Sequence, residues 1–288
     1  MRHLALLALL ALAACSKAPA GSAPHQIHVA GSSAGYLLST EVAERLMREA
    51  PDVLAPLVRA GGTGEGIARF CDADNPTRPD ILITTREMTE GERARCAANG
   101  STDVDQKMIG ITAIAVIEAK SAAPFPILMP TDIAAALTSR AKTWADIRAD
   151  LPATPIDLHG PTPTPAIADT LYNTFLQDGQ KVRTDGAYTG HGANAELVAR
   201  AVAAKPGAIG ILPLAQARVH QDTLRIQAYR PADMIARGIH EMHAPALSLY
   251  LVTRRGDIRH VPGLDRLLRD YDQAIANPDD RTIPSPTS

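Results

Sequence analysis

Aromatic side chains are scarce: Phe, Trp and Tyr together make up 3% of the chain. That leaves no basis for the stacking platforms that hold single-stranded nucleic acids. A basic excess is missing too. The 29 Lys and Arg stand against 31 Asp and Glu, a formal net charge of -2, whereas a general nucleic-acid binder needs a positive field. Three cysteines are too few for a disulfide scaffold or a four-cysteine zinc site. The histidines are scattered without a tight ligand spacing such as His-Glu-x-x-His, so no metal is expected. Catalytic signatures are absent. Ser32 and Ser33 do not sit in a Gly-x-Ser-x-Gly elbow, and Gly62-Thr63-Gly64-Glu65-Gly66 is neither a P-loop nor a dinucleotide fingerprint. No enzyme and no cofactor is expected. What is present is ordinary for a folded domain: 45% apolar and 21% charged residues.

The longest early apolar run, Leu4–Ala14, is about 11 residues, well short of the roughly 20 that cross a bilayer as a helix. Arg2 and His3 precede it. Residues 1–15 therefore read as an export signal. Leu12-Ala13-Ala14-Cys15 resembles a bacterial lipoprotein cleavage site, which makes Cys15 the first mature residue and a lipid carrier. A secreted protein cut elsewhere, with Cys15 incidental, is the alternative. Residues 16–25 are small and nearly uncharged and suit a tether. Export places the two remaining cysteines, Cys71 and Cys96, in an oxidising compartment, where they read as one disulfide, with two buried thiols as the alternative.

The body repeats one unit: a short apolar strand, a small polar loop, a helix. Ile27–Ala30 leads to Gly31–Gly35 and a helix from Tyr36 to Ala50, with Leu38, Val42 and Leu46 on one face. Val53–Arg59 suits a strand before the Gly-rich segment 61–66 and a short helix, Ile67–Cys71. Ile81–Ile83 ends at Thr84-Thr85-Arg86, followed by a helix over 90–99. Further helices are expected over 131–137, 166–177, 195–204 and 264–275, and strands over 156–159, 208–212 and 245–253. This predicts an α/β layer architecture whose ligands lie beyond strand ends. Two apolar stretches, Ile109–Ala119 and Pro245–Thr253, are long enough to cross between two bodies. The expected division is 26–113 plus 246–276 as one lobe and 118–242 as the other. Residues 277–288 form a polar tail expected to be disordered.

The segments GSSAGYLLSTEVAERL (31–46), GGTGEGIARFC (61–71), PDILITTREM (79–88) and LPATPIDLHGPTPT (151–164) fall in a collinear series. VRTDGAYTGHGANAELVARAVAAKPGAIGIL (182–212) and HAPALSLYLV (243–252) continue it. In that order they resemble the PstS-like phosphate-binding proteins of bacterial ABC transporters, within the type II periplasmic binding fold. The resemblance implies two lobes of mixed sheets with flanking helices and two hinge crossings. It places ligand contacts at Ser32, Ser33 and Ala34 in the first loop, Thr63 and Gly64 in the second, and Arg86 in the third. An arginine fork suits an oxyanion or carboxylate; pairing of Arg86 with Glu87 or Glu90 is the structural alternative.

The fourth element departs from the family. Its Ser-Gly-Thr, often followed by Arg, is replaced by Pro165-Ala166-Ile167-Ala168, and Ser-Arg-Pro before the return strand by His243-Ala244-Pro245. Thr162 and Thr164 are the nearest replacement hydroxyls. His159, Tyr188, His191 and Asn194 are candidate contacts from the second lobe. The resulting expectation is a monomeric, lipid-anchored receptor for a small solute, by family an oxyanion such as phosphate, serving an ABC permease. It touches the membrane only through Cys15 and binds no nucleic acid. A non-phosphate solute, or a non-transport sensor or partner-binding lipoprotein, are the alternatives.

Overall fold

The computed structural model describes residues 25–164, 167–168, 174–177, 179–227 and 246–276. The leader, Cys15, most of the tether, the helix expected over 166–177 in its greater part, His240, His243 and the tail lie outside them.

The described strands are β1 (His28–Gly31), β2 (Leu57–Ala60), β3 (Ile81–Thr84), β4 (Val104–Ala119), β5 (Leu158–Gly160), β6 (Tyr188–Gly190), β7 (Ile209–Pro213), β8 (Leu224–Gln227) and β9 (Ala246–Arg254). The described α-helices are α1 (Tyr36–Glu49), α2 (Thr63–Phe70), α3 (Glu90–Ala98), α4 (Pro130–Thr138), α5 (Ala195–Ala204), α6 (Leu214–Val219) and α7 (Leu264–Ala276). The strands run in the order β2-β1-β3-β9-β4-β7-β5-β6, with β8 also on β4. β1 is parallel to β2 and β3, and β5 is parallel to β6 and β7; β4 and β9 run antiparallel to their partners. The sheet is mixed, as the resemblance implies.

β4 joins two halves. Val104–Ala113 pairs with β9, while Ile114–Ala119 pairs with β7 and β8. The pairing with β9 shifts register between Met108 and Gly110. A glycine is the residue that absorbs such a bulge, and the bulge bends the strand. Every described pairing of β9 lies with β3 or the first part of β4.

Side-chain alternation along each strand feeds two faces. Ile81 and Ile83 of β3 join Val42 and Leu46 of α1 and Leu264, Leu267 and Tyr271 of α7; Leu82 points to Ile67 and Phe70 of α2. On β4, Ile114 and Val116 pack with Ile133, Leu137 and Trp144. Ala115 and Ile117 meet Val198, Val202 and Ala217 of α5 and α6. A sheet covered on both sides has continuous apolar strands, and all four residues of β3 are buried. Each fully buried Leu or Ile contributes about 1.5–3 kcal/mol. Cys71 and Cys96 are disulfide-bonded, their Cα atoms 4.4 Å apart, under the α2–α3 face.

Three elements differ from expectation. β2 is shorter, beginning at Leu57, because Pro51 and Pro56 bracket a turn rather than strand. α2 begins at Thr63, so the Gly-rich segment is partly its first turn. β4 starts at Val104, five residues early, because β9 pairs with its polar beginning.

Candidate binding site

The first loop is built on glycine. Gly31 has φ +128°, and a Cβ there would lie 2.0 Å from the Ile83 carbonyl oxygen. That clearance lets Ser32 N–H donate to Ile83 O at 2.8 Å and turns the chain sharply off β1. Ser32 is buried, and its Oγ accepts from Ala34 N–H at 3.3 Å. Gly66 of α2 packs so close that a Cβ would sit 3.1 Å from Gly31 Cα. The second loop is tied back by Gly61 and Gly62 N–H donating to Gly31 O.

Thr63 and Arg86 are committed within the protein. Thr63 is fully buried; its Oγ1 accepts from Thr85 N–H at 3.0 Å and lies 3.0 Å from Thr85 Oγ1. Arg86 donates both fork nitrogens to Glu92, at 2.8 and 2.9 Å, and a third bond to Glu87 O at 3.0 Å. Burial works to raise the Glu92 pKa, but the Arg86 fork and Thr89 hold it below the usual glutamate value. Glu92 also closes the capping box of α3 with Thr89. The partner of Arg86 is therefore Glu92 rather than Glu87's or Glu90's carboxylate.

Two adjoining cavities lie where the strand ends of the two halves meet. The larger, ≈ 560 Å³, is lined from one side by Tyr36, Val58, Arg59 and Ala60, and from the other by residues 191–196 and Gln216. The smaller, ≈ 10 Å³, has room for about one water; Ser33 closes it against Pro161, Ala193, Val198, Ile211 and Pro213. Gln216 Nε2 donates to Ser33 O at 3.4 Å, linking the halves.

Of the sequence candidates, Ser33, His191 and Asn194 line these cavities. Ser32, Ala34, Thr63, Gly64, Arg86, Thr162, Thr164, His159 and Tyr188 do not. Thr162 Oγ1 accepts from Gly192 N–H at 2.7 Å, and Tyr188 OH donates to Pro161 O at 2.5 Å, so both fix the loop beside the cleft. Thr164 is exposed, and its carbonyl accepts from Ile167 and Ala168 N–H. Ala168 is fully buried in the core. Asn194 caps α5, its Oδ1 accepting from Leu197 N–H at 3.2 Å.

Arg59 was not foreseen. It is exposed at the end of β2, lines the larger cleft, and has no carboxylate partner among the described residues. The available signal was its place at a strand end, before a Gly-rich loop. Glu196, also in the lining, is held below the usual carboxylate range first by Arg200 and also by His220. His191 is linked through His159 to the interior: His159 Nδ1 and His191 Nε2 are 3.0 Å apart, and the rings stack at 5.2 Å. Asp157 Oδ1 lies 3.2 Å from His159 Nε2, and Lys205 Nζ lies 2.8 Å from Asp157 Oδ2. Burial, with His159 beside it, lowers the His191 pKa below the usual histidine value. Among the described residues, no group of three or more His, Cys, Asp or Glu is placed to hold a metal ion. No described helix is long and apolar enough to cross a membrane.

Strand-end loops of two α/β halves facing one cleft define a type II periplasmic binding fold. The family model of the PBP superfamily domain matches residues 18–252, and the chain belongs to that superfamily. Solved structures with this fold include a possible phosphate-binding protein from Planctomyces limnophilus, 21% identical over 86% of this chain and 87% of that one, with a TM-score of 0.54. An ABC-type phosphate transport receptor from Vibrio cholerae is 12% identical over 86% and 94% (TM-score 0.56). The high-affinity periplasmic phosphate-binding protein PfluDING, solved with phosphate, is 13% identical over 91% of each chain (TM-score 0.64). No curated protein sequence matches the chain at a significant level. The fold is that of these phosphate-binding proteins, and the family is the PBP superfamily.

Proposed function

We propose that this chain is a lipid-anchored periplasmic receptor of an ABC-type importer, which captures phosphate or a related oxyanion between two lobes. The observation that carries the reading is the ≈ 560 Å³ cleft, lined by strand-end and loop residues from both halves of the sheet. Ligand capture between lobes joined by crossing strands is a hinge mechanism, and β4 is one such strand. In this reading the lobes are 26–113 plus 246–276 and 118–242, a division supported by the pairing of β9 with β3. The export signal, Cys15 and the family support the location and the permease partner. Binding rather than catalysis is the role.

Titration calorimetry of the chain with phosphate and sulfate tests this reading. Micromolar heat from either supports it, and silence from both contradicts it. A second reading has its own observation. Pro161, Ala193, Val198, Ile211 and Pro213 give the second half an apolar wall beside the cleft, which suits an oxyanion carried on a carbon skeleton. Methylphosphonate bound more tightly than phosphate would favour it.

A further inference from the structure

We propose that an oxyanion in this cleft is held between Arg59 and the imidazole of His191, and that His191 takes up a proton from solvent as the ligand binds. This rests on the receptor reading above and assigns that site its charged contacts.

Three observations point the same way. First, the arginine expected to bind the anion, Arg86, has its fork filled by Glu92, while Arg59 stands in the cleft lining with no carboxylate partner among the described residues. Second, His191 lines the cleft opposite β2 and is not an isolated ring. His159 sits 3.0 Å behind its Nε2, and Asp157 sits 3.2 Å behind His159. The Asp157 carboxylate lies 3.2 Å from His159 Nε2 without hydrogen-bond geometry, but its charge beside that buried nitrogen favours the proton there, which leaves His159 Nδ1 to accept from His191 Nε2–H. His191 Nδ1 is then a bare lone pair, and it has no partner among the described residues. Third, adding one proton at Nδ1 makes His191 an imidazolium. It then donates outward to the anion and inward to His159, with Asp157 behind. Asp157 is thus a positioning residue for the charge on His191.

The other charges around His191 permit this. Glu196 shares the cleft but is paired with Arg200 and His220. Lys205 pairs with Asp157 from an exposed position at the end of α5. Gln216 and Tyr36 are uncharged. In the free protein, burial and His159 disfavour the imidazolium. A bound anion favours it, so the His191 pKa is higher in the complex. Binding therefore takes up protons, and affinity rises as pH falls through the bound-state pKa.

The test is calorimetry of the full-length chain in detergent with inorganic phosphate, across about pH 5.5 to 8, in buffers of different ionisation enthalpy. The expected result has three parts. Arg59→Gln weakens binding by about tenfold or more, the loss of one charge-assisted contact, while Arg86→Gln changes it less. His191→Gln removes part of the proton uptake seen in the unsubstituted chain; the ligand's own ionisation is common to both. Asp157→Asn reduces that uptake and flattens the pH profile while phosphate still binds. Thermal melts confirm that each variant is folded, and Arg59, being exposed, is the variant least able to disturb the fold. If phosphate binds but Arg59→Gln and His191→Gln leave affinity and uptake unchanged, this inference is overturned and the receptor reading stands. If neither phosphate nor sulfate gives heat, the receptor reading fails and this inference with it.

Discussion

Arg86 and Arg59 show how residue chemistry depends on the neighbour that arrives first. Arg86 follows β3 and Arg59 lies near the end of β2, and both could grip an anion. A helix over 90–99 was legible, yet spacing alone does not say that the Glu92 carboxylate of its capping box also reaches back to Arg86. Removing Arg86 leaves Glu92, whose side chain is 14% exposed, without its fork. Arg86→Ala should therefore cost about 1–2 kcal/mol at neutral pH. The sign with pH follows from the lowered Glu92 pKa. The stabilisation is present above the ordinary glutamate value and is lost as pH falls through the lowered one. Chemical denaturation of the two forms at pH 7 and near pH 3 should show the gap closing on acidification. An unchanged gap would mean the pair is not what separates them. Ser33, His191 and Asn194 were legible as site residues because they sit in Gly-rich loops at strand ends. Arg59 was not: its place at a strand end before a Gly-rich loop was a signal, but one that a solvated surface arginine gives equally well.

At the scale of elements, the strand–loop–helix units were readable from apolar spacing and from glycine. The helix expected over 195–204 coincides with α5, since Asn194 caps it and Pro206-Gly207 ends it. What spacing misses is short or polar. β6, β8 and α6 are three to six residues long and owe their form to neighbours rather than to local preference. The loops after β1 and β2 are held by specific contacts, which gives two predictions. Gly31→Ala places a Cβ against the Ile83 carbonyl at a positive φ and should destabilise by about 2–4 kcal/mol. Thr63→Val removes the acceptor of Thr85 N–H and should cost about 1–3 kcal/mol. Urea unfolding measures both, and a neutral Gly31→Ala would refute the turn geometry. The Cys71–Cys96 bridge closes a separation of 25 residues, for which chain entropy gives about 3 kcal/mol. Reduction should lower the melting temperature by about 5–10 °C.

For the whole molecule, the order of six segments carried the fold, while of the expected ligand residues Ser33, His191 and Asn194 line the cavities between the halves. Ala168, in the stretch that the resemblance sets against the family's fourth anion element, is buried in the core. If the proposed lipid anchor at Cys15 holds, Cys15→Ser should move the protein from the membrane fraction to the soluble one, read by fractionation and immunoblot. The central claim is that an oxyanion sits between the halves, touching Arg59 and His191. A crystal structure grown with arsenate, located by its anomalous signal, tests this most directly. The account predicts one arsenic peak within hydrogen-bonding reach of the Arg59 guanidinium and His191. A peak at Arg86 instead, or arsenate bound only outside the cleft, would contradict it.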